Sequence, residues 1–352
     1  MPGLEVAGAG RNHLGRPALS PAMPTPATQS ADALTISRRV CGRGFSYHGK
    51  NGRRIRDPRV IARLASLAVP PAYLDVVYAR DESAPLQAMG RDAAGRWQYR
   101  YHPDRVKMRE RRKTRHLVRL LEALPRIRRH VTGVLATRKP TREFAMATAI
   151  ALIDATGIRS GTSRHARLSG ARGAVTLLKS NVEISGPSIT LKFKAKGGKQ
   201  VVKDVHAPRL VPAIKVLQHL PGARLFLYQE ADQVRAIRTR EVNAFLCEVA
   251  SCKVSCKDFR TLRASVNVVE TLLRTDRAEG PTRRKRQVKQ AIQVAADDLT
   301  NTVTICRKSY VHEAVVEAFE QGKLSSVKKS SNGRYPPARQ ILTELVSAQS
   351  TR

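Results

Sequence analysis

Apolar and polar positions change period along this chain, and the changes mark its organisation. Residues 1–35 are rich in Ala, Pro, Gly, Ser and Thr with no periodicity, which predicts a disordered tail. From 36 to 106 the spacing suits a small β-rich domain. Phe45-Ser46-Tyr47-His48 runs into Gly49-Lys50-Asn51-Gly52, where Asn-Gly predicts a hairpin turn. Ile61–Leu67 has the spacing of a short amphipathic helix, stopped by Pro70-Pro71. Leu86–Asp92 and Trp97–Tyr101 alternate as two strands around Ala93-Ala94-Gly95.

Past Pro103 the period becomes helical. Val106–Leu124 sets basic and apolar residues at helical spacing, and Phe144–Thr156 reads as a nearly apolar, buried helix. Strands are predicted at 174–178, at 181–184 and at 188–194. The last returns through Lys196-Gly197-Gly198-Lys199 into 200–205. Helices are expected from there to about Gln321, then a polar, basic tail over 322–352. The expected fold is α+β: a small β-rich domain (36–106), then a larger, mainly helical domain (107–321) carrying a small antiparallel sheet.

Charge narrows the role of this fold. Lys and Arg total 64 against 28 Asp and Glu, a formal net charge of +36. That excess fits polyanion binding, with the nucleic-acid backbone as the abundant partner. No stretch approaches a membrane span, and the N-terminus lacks a charged region followed by an apolar one, so a cytoplasmic, DNA-associated protein is expected. The five cysteines are irregularly spaced without a C-x2-C pair, which suits reduced thiols and argues against zinc. Gly44–Asn51 approaches a P-loop but lacks Ser or Thr after the lysine and leads into a hairpin turn, which argues against ATP. No cofactor or metal is expected.

Candidate chemistry begins with Tyr310, an oxygen nucleophile flanked by Arg307 and Lys308. Phosphodiester transfer needs fixed cations around the phosphorus, a positioned nucleophile and an acid for the leaving oxygen. Arginine suits the clamp because its planar fork holds two oxygens; lysine suits the acid because neighbouring cations lower its pKa. Arg159 lies where an apolar helix stops at a Gly-bounded turn, Lys196 at a Gly-rich hairpin tip, and Arg260 in Lys257-Asp258-Phe259-Arg260-Thr261 ahead of an apolar helix. Asn301 lies nine residues before Tyr310. Each alone has an ordinary structural reading: a helix-end charge, a solvated turn, a cap by Asp258, a turn residue.

Taken together and in this order, these residues resemble the type IB DNA topoisomerases of the small bacterial and poxvirus kind, over about residues 36–321. That family carries an arginine in an I-R-x-G segment, a lysine in a G-K-x-G-K-like hairpin and an arginine in K-D-[FL]-R-T. A His or Asn follows, and nine residues later a tyrosine in a C-R-K-S-Y-like run. A Q-Y-x-Y strand that contacts DNA falls here on Gln98, Tyr99 and Tyr101. The chain departs at Thr162, where the family usually has Asn, at Ala195 for the first hairpin glycine, and at Val303 for the proline of N-T-P.

The resemblance implies a monomer that clamps duplex DNA and relaxes supercoils without ATP. Tyr310 would form a 3′-phosphotyrosyl link, with Arg159 and Arg260 on the nonbridging oxygens. Lys196 would protonate the 5′ oxygen, Asn301 would hydrogen-bond a nonbridging oxygen, and Lys257 would add a phosphate contact. A tyrosine recombinase is the nearest alternative, but recombinases carry histidine at the position of Lys257. A non-catalytic basic DNA-binding protein is the other, and it would not need Tyr310.

Overall fold

The computed structural model describes residues 33–327 and 334–350. Most of the expected N-terminal tail lies outside them. The chain divides into two compact units between Met108 and Arg109.

The first unit holds β1 (Leu34–Cys41), β2 (Gly44–His48), α1 (Pro58–Ser66), β3 (Leu74–Ala79), β4 (Leu86–Arg91) and β5 (Trp97–Tyr101). All five strands form one antiparallel sheet in the order β2-β1-β3-β4-β5. Ile36, Tyr47, Leu64, Val76, Tyr78 and Ala88 make its core. The hairpin is not at Asn51-Gly52 as expected. It turns between Cys41 and Gly44, with Gly42 at φ 58. Asn51-Gly52 closes only an isolated bridge between His48 and Arg54, because the Asp57 cap and Pro58 start α1 before a strand can extend. Strands β1 and β3 were not expected. In β1 the Arg38 side chain is spent on the carbonyls of Val69, Pro70 and Tyr73, at 2.8–3.0 Å, so a charged residue serves as a loop staple.

The second unit begins within α2 (Pro103–Ala136), which runs straight through Pro125. An interior proline costs about 3 kcal/mol. Burial of Leu117, Leu120, Leu124, Ile127 and Val131 along one face outweighs it. Helix α3 (Arg142–Thr156) is capped by Thr141, whose hydroxyl accepts from Phe144 N, and it ends at Gly157 with φ 65. It is buried on nearly all sides, as its composition requires. After α4 (Ser163–Ser169), residues 174–178 form no strand. Ala174 N and Val175 N donate to Arg159 O and Ser160 O, both at 2.8 Å, and the segment coils into short 3-10 turns. Strands β6 (Val182–Ser185), β7 (Ser188–Lys194) and β8 (Gln200–His206) make an antiparallel sheet in that order.

Helix α5 (Val211–His219) leads to an unexpected hairpin, β9 (Leu227–Glu230) with β10 (Gln233–Ala236), whose strands are too short to show alternation. Helices α6 (Thr239–Ala250), α7 (Cys256–Leu273), α8 (Pro281–Asp298), α9 (Val303–Ser309) and α10 (Glu313–Glu320) follow. The stretch expected as a polar tail contains α11 (Ala338–Ser350), which packs on α7 and α10 and buries Ile341, Leu342 and Val346. Its apolar positions occupy one stripe, and average polarity hid them. No helix among the described residues is long and apolar enough to cross a membrane.

Candidate active site

Four segments of the second unit converge on one open cleft of about 460 Å³. Arg159, Lys196, Lys257, Arg260 and Tyr310 all line it.

The loop after α3 delivers Arg159. Gly161 (φ 81) and Gly173 cross so closely that a Cβ on Gly173 would lie 2.4 Å from Arg159 O, and one on Gly161 would lie 2.7 Å from Thr176 Oγ1. This crossing fixes the arginine's backbone. Thr162, the departure from Asn, caps α4 by accepting from His165 N; threonine serves that role as asparagine does. Arg159 donates to Asn301 Oδ1 at 2.5 Å.

Arg260 sits one turn into α7 and is 3% exposed. Its guanidinium donates to Gly157 O, at the end of α3, and to Leu299 O at 3.1 Å, at the end of α8. Two helix C-termini, each with partial negative charge, therefore hold it. Its carbon centre lies 4.8 Å from the Tyr310 ring centroid, and Lys257 Nζ lies 5.9 Å from it. Lys257 and Arg260 fall inside the first turns of α7 rather than before it. Asp258 caps that helix, accepting from Ser255 N at 2.7 Å and Ser255 Oγ at 2.9 Å.

Lys196 stands exposed at the tip between β7 and β8, where Gly197 and Gly198 take φ of 80 and 78. Ala195 keeps the hairpin closed, donating to Lys199 O at 2.7 Å. Val303 stands at the first position of α9, where proline is favoured but not required. Thr302 caps the helix, so Asn301 is presented without the proline.

Tyr310 ends α9 and is 8% exposed. Burial pushes its phenol up, but Arg260, Arg159 and Lys257 together pull it below the ordinary value of 10.0. Arg307, which flanks Tyr310 in sequence, pairs with Glu313 at 2.5 Å. The charge on the phenol comes from α7 and the Arg159 loop.

Two donors in this site are buried without a partner, Arg260 Nε and Asn301 Nδ2. Among the described residues they are two of only three such side-chain atoms. An unmade buried hydrogen bond costs about 1–3 kcal/mol. Two of them beside a cationic cleft suit an incoming oxyanion.

Sequence reasoning missed the fittings behind Tyr310. Ser265 Oγ donates to Tyr310 O at 3.3 Å and accepts from His312 N at 3.0 Å. Lys113 Nζ donates to Val311 O at 3.0 Å. His312, 1% exposed, accepts from Ala314 N at Nδ1, which puts its proton on Nε2 toward Thr114 Oγ1, 2.8 Å away. Burial and, next, Lys113 depress His312 to about 4 from 6.5. The unfolded chain therefore takes up a proton at a pH where the fold refuses it. About 3 kcal/mol of stability should be lost as pH falls from 6.5 to 4. Urea unfolding across that range should show a steeper loss for wild type than for His312→Gln; equal slopes would refute it.

In the first unit, Tyr99 and Tyr101 share one face of β5, with rings stacked at 6.3 Å, and Arg105 lies 5.0 Å from the Tyr101 ring. Gln98 Nε2 donates to Asp92 Oδ2 at 2.9 Å.

Comparison with known proteins bears on this geometry. Residues 103–333 match the family described as "Eukaryotic DNA topoisomerase I, catalytic core". The chain belongs to the type IB DNA topoisomerases. These isomerases relax supercoiled DNA, and the matched segment contains every residue of the cleft. Residues 44–92 match "Bacterial DNA topoisomerase IB, N-terminal domain" and cover β2 to β4. The chain is also similar to "DNA topoisomerase 1B" of Acanthamoeba polyphaga mimivirus, 28% identical over 293 residues, covering 81% of this chain and 87% of that protein.

Proposed function

We propose that this type IB topoisomerase relaxes DNA through a Tyr310 ester. The phenolic oxygen gives its proton to solvent as it attacks phosphorus. The new O–P bond makes a 3′-phosphotyrosyl link as the bond to the 5′ oxygen breaks, and Lys196 supplies the proton that leaves with that oxygen. Arg159 and Arg260 neutralise the nonbridging oxygens, Asn301 donates its amide to one of them, and Lys257 adds a phosphate contact. The strand rotates and the 5′-hydroxyl reverses the reaction. The ester retains the energy of the phosphodiester, so no nucleotide is consumed.

The observation that carries this reading is the meeting of four candidate cations (Arg159, Lys196, Lys257 and Arg260), with Arg172, and a pKa-lowered phenol in one cleft, beside two unpartnered buried donors. The stacked Tyr99 and Tyr101, with Gln98, supply DNA contacts from the β-rich unit, and the two units close as a clamp around duplex. The enzyme acts as a monomer on DNA in the cytoplasm.

A tailed duplex that loses its 5′ fragment on cleavage should trap a covalent adduct in EDTA without nucleotide. Peptide mapping should find the modification on Tyr310. An adduct elsewhere, or strict dependence on metal or ATP, would refute the scheme.

A further inference from the structure

Among the described residues the Lys196 side chain has no hydrogen bond or ion pair, and it sits on a tip with two glycines in the left-handed region. The hairpin beneath it must therefore hold its ammonium group in place. On the β7 side, Arg172 N donates to Lys194 O at 2.7 Å. On the other side β8 is the edge of its sheet and has no neighbouring strand. Val201 and Val205 pack that edge into the core, and one polar side chain anchors it to the helices. Lys203 Nζ donates to Asp298 O at 2.8 Å and to Asp298 Oδ1 at 2.9 Å, with both side chains largely buried.

Asp298 closes α8 and accepts further bonds from α7. Arg263 donates at 2.5 and 3.0 Å, and Asn267 Nδ2 at 3.0 Å. Arg263 also donates to Ala155 O at 2.8 Å, near the end of α3. One carboxylate thus ties the lysine hairpin to the helix of Arg260, and Asn301 lies three residues further on. Burying a lysine and an aspartate is a poor source of stability compared with an apolar pair. It is a good way to specify one geometry. Three residues of strand, about 10 Å, separate Lys203 from the base of the tip at Gln200, a short lever.

We infer that Lys203, acting through Asp298, is a positioning residue that sets Lys196 against the scissile phosphate. The inference rests on the reading of Lys196 as the proton donor to the 5′ oxygen, and the test separates the two. Replacing that oxygen by sulphur in a tailed duplex gives a leaving group that departs as thiolate and needs no proton.

Lys203→Met keeps the aliphatic stem and leaves Asp298 bonded to Arg263 and Asn267. It should slow cleavage of the all-oxygen duplex about 10- to 100-fold, the cost of a misplacement near 1 Å. Cleavage of the sulphur duplex, and non-covalent duplex affinity, should stay within about threefold of wild type. Lys196→Ala should show the same rescue by sulphur, the double variant should be no slower than Lys196→Ala alone, and Lys203→Arg should restore most of the rate. If Lys203→Met fails to fold, Lys203→Leu, which fills the buried space and likewise removes the donor to Asp298, carries the same comparison. Equal slowing on both duplexes, or none on either, would overturn the positioning role while Lys196→Ala still shows rescue. If Lys196→Ala is not rescued by sulphur, the donor assignment fails first and the inference falls with it.

Discussion

Tyr310→Phe should abolish relaxation of supercoiled plasmid while duplex affinity stays within about threefold, because binding rests on phosphate neutralisation across a chain of net charge +36. The substitution removes one oxygen and keeps the ring that Arg260 faces at 4.8 Å. The backbone fittings persist, since Ser265 binds the carbonyl of residue 310 and Lys113 that of Val311. The fold should therefore melt within a few degrees of wild type, and no covalent adduct should form on a tailed duplex. Any relaxation by a purified variant free of host topoisomerase would remove Tyr310 from the nucleophile's role.

Arg260→Ala should combine two losses that experiment can separate. Removing one preorganised donor from a charged transition state costs about 10²–10³ in rate. Losing the cation also lets burial dominate at Tyr310, so the phenol's pKa rises and the pH at which cleavage accelerates moves upward. Stability should fall by about 2–4 kcal/mol, because Gly157 O and Leu299 O lose their shared donor and a buried space opens. Arg260→Lys should recover little of either, since an ammonium group cannot bridge two helix ends and still face the phenol. Cleavage rates measured across pH, below the melting temperature of each variant, distinguish the effects. A variant with wild-type cleavage and only a lowered melting temperature would make Arg260 a structural residue.

The two substitutions probe different kinds of information in the chain. Tyr310 and Arg260 became candidates from motif order alone. The carbonyls that hold Arg260 were not, because Gly157 and Leu299 lie 103 and 39 residues from it. Nor was the turning away of Arg307, whose proximity in sequence to Tyr310 suggested a direct role. On α9 it projects toward Glu313, three residues beyond the tyrosine. Arg307 and Tyr310 are three residues apart, a spacing that shares a face within a helix, but α9 ends at Ser309 and Tyr310 leaves helical geometry at φ −131, so the spacing rule fails at the helix end.

The same division holds for the fold. Long segments could be read directly: α3 as an apolar run of helix length, and β7–β8 from an alternation repeated over many positions, which averages out local exceptions. Short elements could not. β9 and β10 span four residues each, and residues 174–178 have strand-like composition but take their hydrogen bonds from the Arg159 loop. The Asn51-Gly52 turn carried the right local chemistry and lacked a second strand to join.

By itself the sequence determined the polyanionic partner, the chemical kinds of the candidate reacting groups and their order along the chain, because charge and residue type do not depend on folding. Only the tertiary structure decided which cations reach the phenol, which donors stay unpaired beside it, and that a buried Lys203–Asp298 contact braces the hairpin of Lys196. Those are distances between segments far apart in the chain, and packing sets them rather than local preference.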